Sequence, residues 1–257
     1  MAAYHQAERQ GHLLVVTFTR PEAANALNTE ACEQLHRLFD EFSQDPSLWV
    51  AIVTGSGDRA FCAGMDLKDS ARGEGLRLPL SGFAGLTHRF DNFKPVIAAV
   101  NGAAYGGGME LVLACDLVVA SEQARFALSE PRVGVAALAG GVHRLVRQIG
   151  HKAAMSMLLT GRTVGADEAL RMGFINEVVP PDEVLPRARA LADDVLACAP
   201  LAVRATKQLA LEGLDHPLST AMARQYTEVD AMLRSPDVRE GARAFTEKRA
   251  PAWSGEG

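Results

Sequence analysis

The sequence predicts an α/β chain: strand-and-helix units through about residue 176, then a helical last third. Three observations predict it. Short β-branched runs at residues 13–19 (LLVVTFT) and 49–54 (WVAIVT) are bounded by turn residues. Residues 29–42 between them carry apolar side chains at helical spacing. From Pro180 onward, segments rich in Ala, Leu and Arg are separated by Pro or Gly.

The first three elements make a β-α-β opening. Residues 96–100 and 117–120 read as further strands flanking 106–115, where three glycines precede the apolar run 109–114, as in a loop feeding a helix. A short strand follows at 125–128. Strand, loop and helix recur without repetition of sequence, which suggests layered units rather than a solenoid of fixed period. In the last third, segments 184–197, 202–211 and 219–233 have helical spacing. Their apolar faces pack either on another subunit or back on their own core.

With 257 residues, 48% of them hydrophobic and 22% charged, the chain can bury a large core, as one domain with appendages or two small domains. Its 31 acidic and 26 basic residues are spread along the chain for a net charge of -5, so no field suited to nucleic acid is evident. An anionic ligand needs a local basic site. Cys32, Cys62, Cys115 and Cys198 are too far apart for a zinc knuckle or CxxC motif and too few for a secreted disulfide scaffold, which points to a reducing cytoplasm. The opening MAAYHQAERQG lacks an apolar signal core, and no later stretch has the uninterrupted apolar length of a membrane span, so a soluble protein with no membrane partner is expected.

Two loops carry candidate chemistry. Residues 60–66 (AFCAGMD) follow a strand and the turn Gly55-Ser56-Gly57. Read as a dinucleotide fingerprint this stretch fails, because that motif opens a helix and Phe61-Cys62-Ala63-Gly64 has no helical period. Small residues here instead let backbone amides approach a ligand. Residues 101–110 (NGAAYGGGME) end a strand, turn on glycines and start a helix. Free N–H groups at Gly107 and Gly108, with the helix dipole behind them, suit a developing oxyanion; a tight turn against a neighbouring strand explains the glycines equally well.

Glu110 weighs toward chemistry, since a carboxylate entering an apolar helix is costly without a task, although charge stabilisation of the helix start is an ordinary use. Glu130 opens a loop (Glu130-Pro131-Arg132-Val133-Gly134) after a short strand, where catalytic groups are commonly held. Two such carboxyls can straddle a substrate as acid and base. Asp66 and Asp116 compete for these roles, but capping suits their positions better. His143 and His151 lack partners at metal-ligand spacing and read as surface or helix-end residues. No G-x-S-x-G elbow, Walker motif or His/Glu metal helix appears.

Residues 60–68 (AFCAGMDLK) and 95–110 (PVIAAVNGAAYGGGME) closely resemble the enoyl-CoA hydratase/isomerase (crotonase) superfamily. The likeness continues through Cys115-Asp116, Phe126, Glu130, Gly134, Gly140-Gly141, 159–161 (LTG), 166–179 and 245–249 (FTEKR), nearly the whole chain. The resemblance implies a spiral of ββα units over residues 1–195 and a helical oligomerisation region over 196–257, assembled as a homotrimer or homohexamer. It implies an oxyanion hole for a thioester carbonyl, mapped to the backbone N–H groups of Ala63 and Gly107. Glu110 would orient or deprotonate the water that adds at C3, and Glu130 would deliver a proton to C2, or the reverse in dehydration. Acyl-coenzyme A would bind along Ala24 and Ala26, with Gly64, Met65 and Asp66 beside it and Lys248 or Arg249 near a phosphate. No permanently bound cofactor is implied, since coenzyme A arrives as part of the substrate.

The resemblance has one departure: after Gly134 the chain reads Val135-Ala-Ala-Leu-Ala-Gly-Gly141 where many hydratases have proline and further glycine, so the acyl pocket is expected to differ. Residues 69–92 would line the same pocket. Retention of both glutamates favours hydration or dehydration over double-bond isomerisation, with a carnitinyl-CoA dehydratase-like activity as an alternative within the family. A silent acyl-CoA binder is disfavoured, because binding alone does not call for two carboxyls beside an acyl chain.

Overall fold

A computed structural model describes residues 4–66 and 78–257, so part of the expected pocket wall, 69–77, lies outside the described residues. The chain enters through β1 (His5–Gln10) and β2 (Leu13–Phe18) and crosses in α1 (Thr29–Gln44). It then alternates between two sheets through β3 (Val50–Gly55) and β4 (Ala60–Cys62), then β5 (Val96–Val100) and β6 (Ala103–Tyr105). After α2 (Gly107–Ala114) come β7 (Leu117–Ser121) and β8 (Arg125–Ala127), followed by α3 (Gly141–Gln148) and α4 (His151–Thr160). β9 (Val164–Gly165), α5 (Ala166–Met172) and β10 (Glu177–Val179) complete this part.

The larger sheet runs β1-β2-β3-β5-β7-β10 and is parallel except for the β1/β2 hairpin; the smaller runs β4-β6-β8-β9, with β4, β6 and β8 parallel. Each of the pairs β3/β4, β5/β6 and β7/β8 thus sends one strand to each sheet. In the small sheet β8 answers to the short strand expected at 125–128, whereas β4 and β6 escape a reading by periodicity because three residues hold too little pattern.

Both faces of the central strands β2, β3, β5 and β7 are buried, which is why they read as continuous apolar runs, whereas the edge strand β1 is polar and exposed. Leu14, Val16 and Phe18 face the main core with α1 and α2, while Leu13, Val15, Val50, Ile52, Ile97 and Val119 meet Val184, Ala188 and Ala192 of α6 (Val184–Leu196). The first helix of the last third therefore lies back on its own sheet. Beyond it are α7 (Pro200–Gly213), α8 (Leu218–Ala223), α9 (Thr227–Arg234) and α10 (Asp237–Glu247). The single helix expected over 219–233 is broken, because Tyr226 is extended and buried and its hydroxyl donates to the Ala221 carbonyl at 2.8 Å. Lys207 of α7 ties this region to the core by donating to the Lys94 carbonyl (3.0 Å) and the Asp116 carboxylate (2.7 Å). Leu214, Leu218, Met222 and Phe245 remain exposed on it.

Candidate active site

The site lies just past the C-terminal ends of β4, β6 and β8, three neighbouring strands of the small sheet. Gly64 and Met65 follow the first, Gly106 and Gly107 the second, and Glu130 the third.

Gly64 sits at φ +93°, and a Cβ on it would lie 2.8 Å from the Tyr105 carbonyl and 3.0 Å from the Gly107 nitrogen. A side chain there would push the two loops apart. Gly108 is held as closely, since a Cβ would collide with the Cys62 carbonyl. These contacts bring the peptide after Gly64 beside the first amide of α2. Gly107 N–H, as the first in that helix, has no intrahelical acceptor.

The second donor differs from the expectation. Ala63 N–H donates to the Ala24 carbonyl at 3.0 Å, and Gly64 N–H faces the Cys62 sulfur at 3.4 Å. The parallel bridge between Leu27 and Met65 uses the groups on either side of Met65: Leu27 N–H donates to the Gly64 carbonyl and Asp66 N–H to the Leu27 carbonyl, both at 2.9 Å. A residue flanked in this way turns its own N–H away from the bridge. Met65 N–H consequently has no acceptor among the described residues, and it, not Ala63, is the available partner for Gly107. The pattern of small residues marked the loop but could not say which amide pairs inside it.

Glu110 is 4% exposed in the first turn of α2, a helix buried on every side, and its Oε1 accepts Gly141 N–H at 2.9 Å. Burial pushes its carboxyl up to about 7; the negative charge of Glu130 adds to this, while the amides of Gly141 and Ala139 and the cation of Arg144 oppose it. Glu130 begins a short 3-10 turn, Glu130–Val133, rather than an open loop. Its carboxyl is also raised by burial, and its Oε2 is buried without a hydrogen-bond partner among the described residues. A Cβ on Gly106 would lie 3.5 Å from Glu130 Oε1, and the Gly106 carbonyl accepts Glu110 N–H at 3.0 Å, so Gly106 joins the carboxyl of one acid to the backbone of the other. Two carboxyls raised by burial, with the charge of Glu130 raising Glu110 further, favour a state with one proton between them.

The other expected residues are distributed as follows. Ala24 and Ala26 offer carbonyls that already accept from Ala63 N–H and, at 3.0 Å, from Arg20, leaving one lone pair each. Asp66 is held by both terminal nitrogens of Arg20 at 3.1 Å. Lys248 is exposed at the end of α10, whereas Arg249 is engaged by Glu240 at 2.6 and 3.0 Å. Asp116 accepts Val96 N–H at 2.8 Å, a structural use, and His143 and His151 are exposed. Sequence reading missed the anchoring role of Gly141, although a Gly-Gly pair ahead of a helical run is a signal for free amides. Phe83 was missed as well: a Cβ on Gly107 would lie 3.0 Å from its ring.

The family model for enoyl-CoA hydratase/isomerase matches residues 8–256. A carnitinyl-CoA dehydratase of Proteus mirabilis is 44% identical over 255 residues, 96% of each chain. The crystal structure of an enoyl-CoA hydratase from Mycobacterium tuberculosis H37Rv superposes with a TM-score of 0.92 at 39% identity, over 98% of this chain and 99% of that one. A carnitinyl-CoA hydratase from Mycobacterium avium gives 0.80 at 44% identity, over 99% of both chains. Interleaved ββα turns, paired acids at a glycine-started helix and agreement along the whole length lead to one assignment: this chain belongs to the enoyl-CoA hydratase/isomerase family and has the crotonase fold.

Proposed function

We propose that the protein adds water reversibly across the C2-C3 double bond of an enoyl-CoA thioester, with Glu110 and Glu130 as the acid/base pair. The observation that carries this reading is two carboxyls raised by burial, Glu110 buried and Glu130 half-buried, beside two amides without acceptors among the described residues. The thioester oxygen would sit between Met65 N–H and Gly107 N–H, which stabilise it as enolate character develops; losing one comparable donor costs roughly 3 kcal/mol. Glu110, ionised, takes a proton from the water that attacks C3. Glu130, protonated, gives one to C2 and closes the enolate. In the reverse direction the same groups expel water from a 3-hydroxyacyl-CoA. Coenzyme A would run past Ala24 and Ala26, with Gly64, Met65 and Asp66 beside the pantetheine end and Lys248 near a phosphate. The cofactor requirement of this reading is nil, since coenzyme A comes and goes with the substrate.

A carnitinyl-CoA substrate is a specific second reading, supported by the 44% identity to proteins of that name. A homotrimer or homohexamer is supported by the exposed apolar residues of the helical end. Among the described residues no helix is long and apolar enough to cross a membrane. Cytoplasmic residence belongs to the same proposal.

The test follows the conjugated-thioester absorbance of a short trans-2-enoyl-CoA and the mass of the product, for wild type, E110Q and E130Q, with carnitinyl-CoA run in parallel. Uptake of one water by wild type, with kcat lowered roughly 100-fold or more in both variants, is expected. Binding of both thioesters with no water added to the enoyl-CoA and none lost from carnitinyl-CoA would sink the hydratase reading.

A further inference from the structure

Arg144, whose cation opposes the rise of the Glu110 carboxyl, lies in α3. It is half-buried and, among the described residues, forms no ion pair. Its backbone N–H donates to the Gly140 carbonyl at 2.8 Å, and its Nη1 lies so close to Gly140 that a Cβ there would collide with it. The next residue, Gly141, meets Glu110: its N–H holds Oε1 at 2.9 Å, and a Cβ on it would lie 3.0 Å from both Cγ and Oε1 of Glu110. Two consecutive glycines thus separate a guanidinium from the carboxyl of a proposed catalytic acid. A cation of this burial without a carboxylate partner is costly unless its field has a use.

We propose that Arg144 is a positioning residue for Glu110: its guanidinium braces the Gly140-Gly141 backbone that holds the carboxyl and supplies the positive charge facing it. This rests on reading Glu110 as one of the two acids. The geometry favours this use over simple packing, because the guanidinium abuts Gly140, and the peptide from Gly140 to Gly141 carries an N–H that the carboxyl accepts. The exposed Phe90 ring covers the outer side of the guanidinium, with Cζ 5.6 Å from its centroid, and screens the charge from water on that side. The other groups that face this pair are Glu130 toward Glu110, and Cys115 and His88 toward Arg144. Cys115 is a buried thiol pushed well above its ordinary range, and the His88 imidazole is held below its own by burial and by Arg144, so both are neutral near pH 7. Glu110 and Arg144 therefore form the charged core of this side of the site, and Glu130 opposes it.

Carbon-13 NMR of carboxyl-labelled glutamate, with the Glu110 signal assigned by its loss in E110Q, reads the titration of that group without any substrate. In R144M and R144Q the midpoint should rise by half a pH unit or more, a threefold or larger change in the ionisation constant, while R144K stays within about 0.3 of wild type. The acidic limb of kcat/KM should move upward by the same amount. Midpoints in R144M and R144Q that match wild type would overturn the proposal, and so would an R144K midpoint that rises with theirs. R144Q serves if R144M does not fold. Failure of wild type to hydrate any enoyl thioester would remove the functional reading but leave the titration result standing, so the two outcomes are separable.

Discussion

Replacing Glu110 by Gln should make the protein relatively more stable at alkaline pH, because the native state holds this group in a place that resists its charge. The carboxyl stands at about 7 in the fold against an ordinary 4.5. As pH rises, the unfolded chain ionises first and the native state later, so the unfolded state binds fewer protons in between and stability falls across that window. At about 1.4 kcal/mol per pH unit the full cost of ionising Glu110 in place is about 3 kcal/mol. Under about 1 kcal/mol of it is felt at pH 5 and nearly all at pH 8, so about 2 to 3 kcal/mol separates the two conditions. E110Q has no charge to form there. Its amide meets backbone N–H groups that suited a carboxylate, a penalty that does not depend on pH and cancels when the two conditions are compared. Urea unfolding of both proteins at pH 5 and pH 8, at one protomer concentration, measures the quantity directly. The stability difference, variant minus wild type, should move in favour of E110Q by about 2 to 3 kcal/mol on going to pH 8. A difference that stays constant within about 0.5 kcal/mol, or moves the other way, would refute the claim that burial sets the ionisation of Glu110.

Two further outcomes follow from the loops that shape the site. Asn25 is fully buried at φ +55°, its amide donating to the Ser56 and Ala60 carbonyls at 3.0 and 2.8 Å and its Oδ1 accepting Arg20 N–H at 3.1 Å. N25A leaves those groups unsatisfied and should lose about 2 to 4 kcal/mol in urea unfolding; a loss under about 0.5 kcal/mol would show that water replaces them. G108A sets a methyl against the Cys62 carbonyl and should cost about 1 to 3 kcal/mol while lowering kcat more than it raises KM, because it separates the loops that bear Met65 and Gly107. Unaltered kcat in a destabilised G108A would detach those amides from catalysis.

The long elements were legible because their patterns are long. Residues 29–42 gave α1 within two residues, and the β-branched runs gave β2, β3, β5 and β7 within one or two. The two glutamates were legible as carboxylates out of place in apolar or turn surroundings. What escaped depends on contacts far apart in sequence. Which amide of the 60–66 loop is free is decided by Ala24 and Leu27, some forty residues earlier. The anchor of Glu110 comes from Gly141, thirty-one residues later. The break at Arg224–Tyr226 answers to a buried tyrosine and not to a proline or glycine, so no local punctuation announced it.

The order β4, β6, β8 across the small sheet divides the work by strand, at steps of about 4.8 Å. The first two ends contribute main-chain groups held in place by glycines that admit no side chain, and the third contributes a single replaceable side chain. Polarising the thioester and choosing where the proton goes are therefore separately inheritable. Under the proposed roles of Glu130 and of the Met65 and Gly107 amides, a lineage can exchange the residue at position 130, and with it the fate of the enolate, without rebuilding the cradle that makes the enolate accessible.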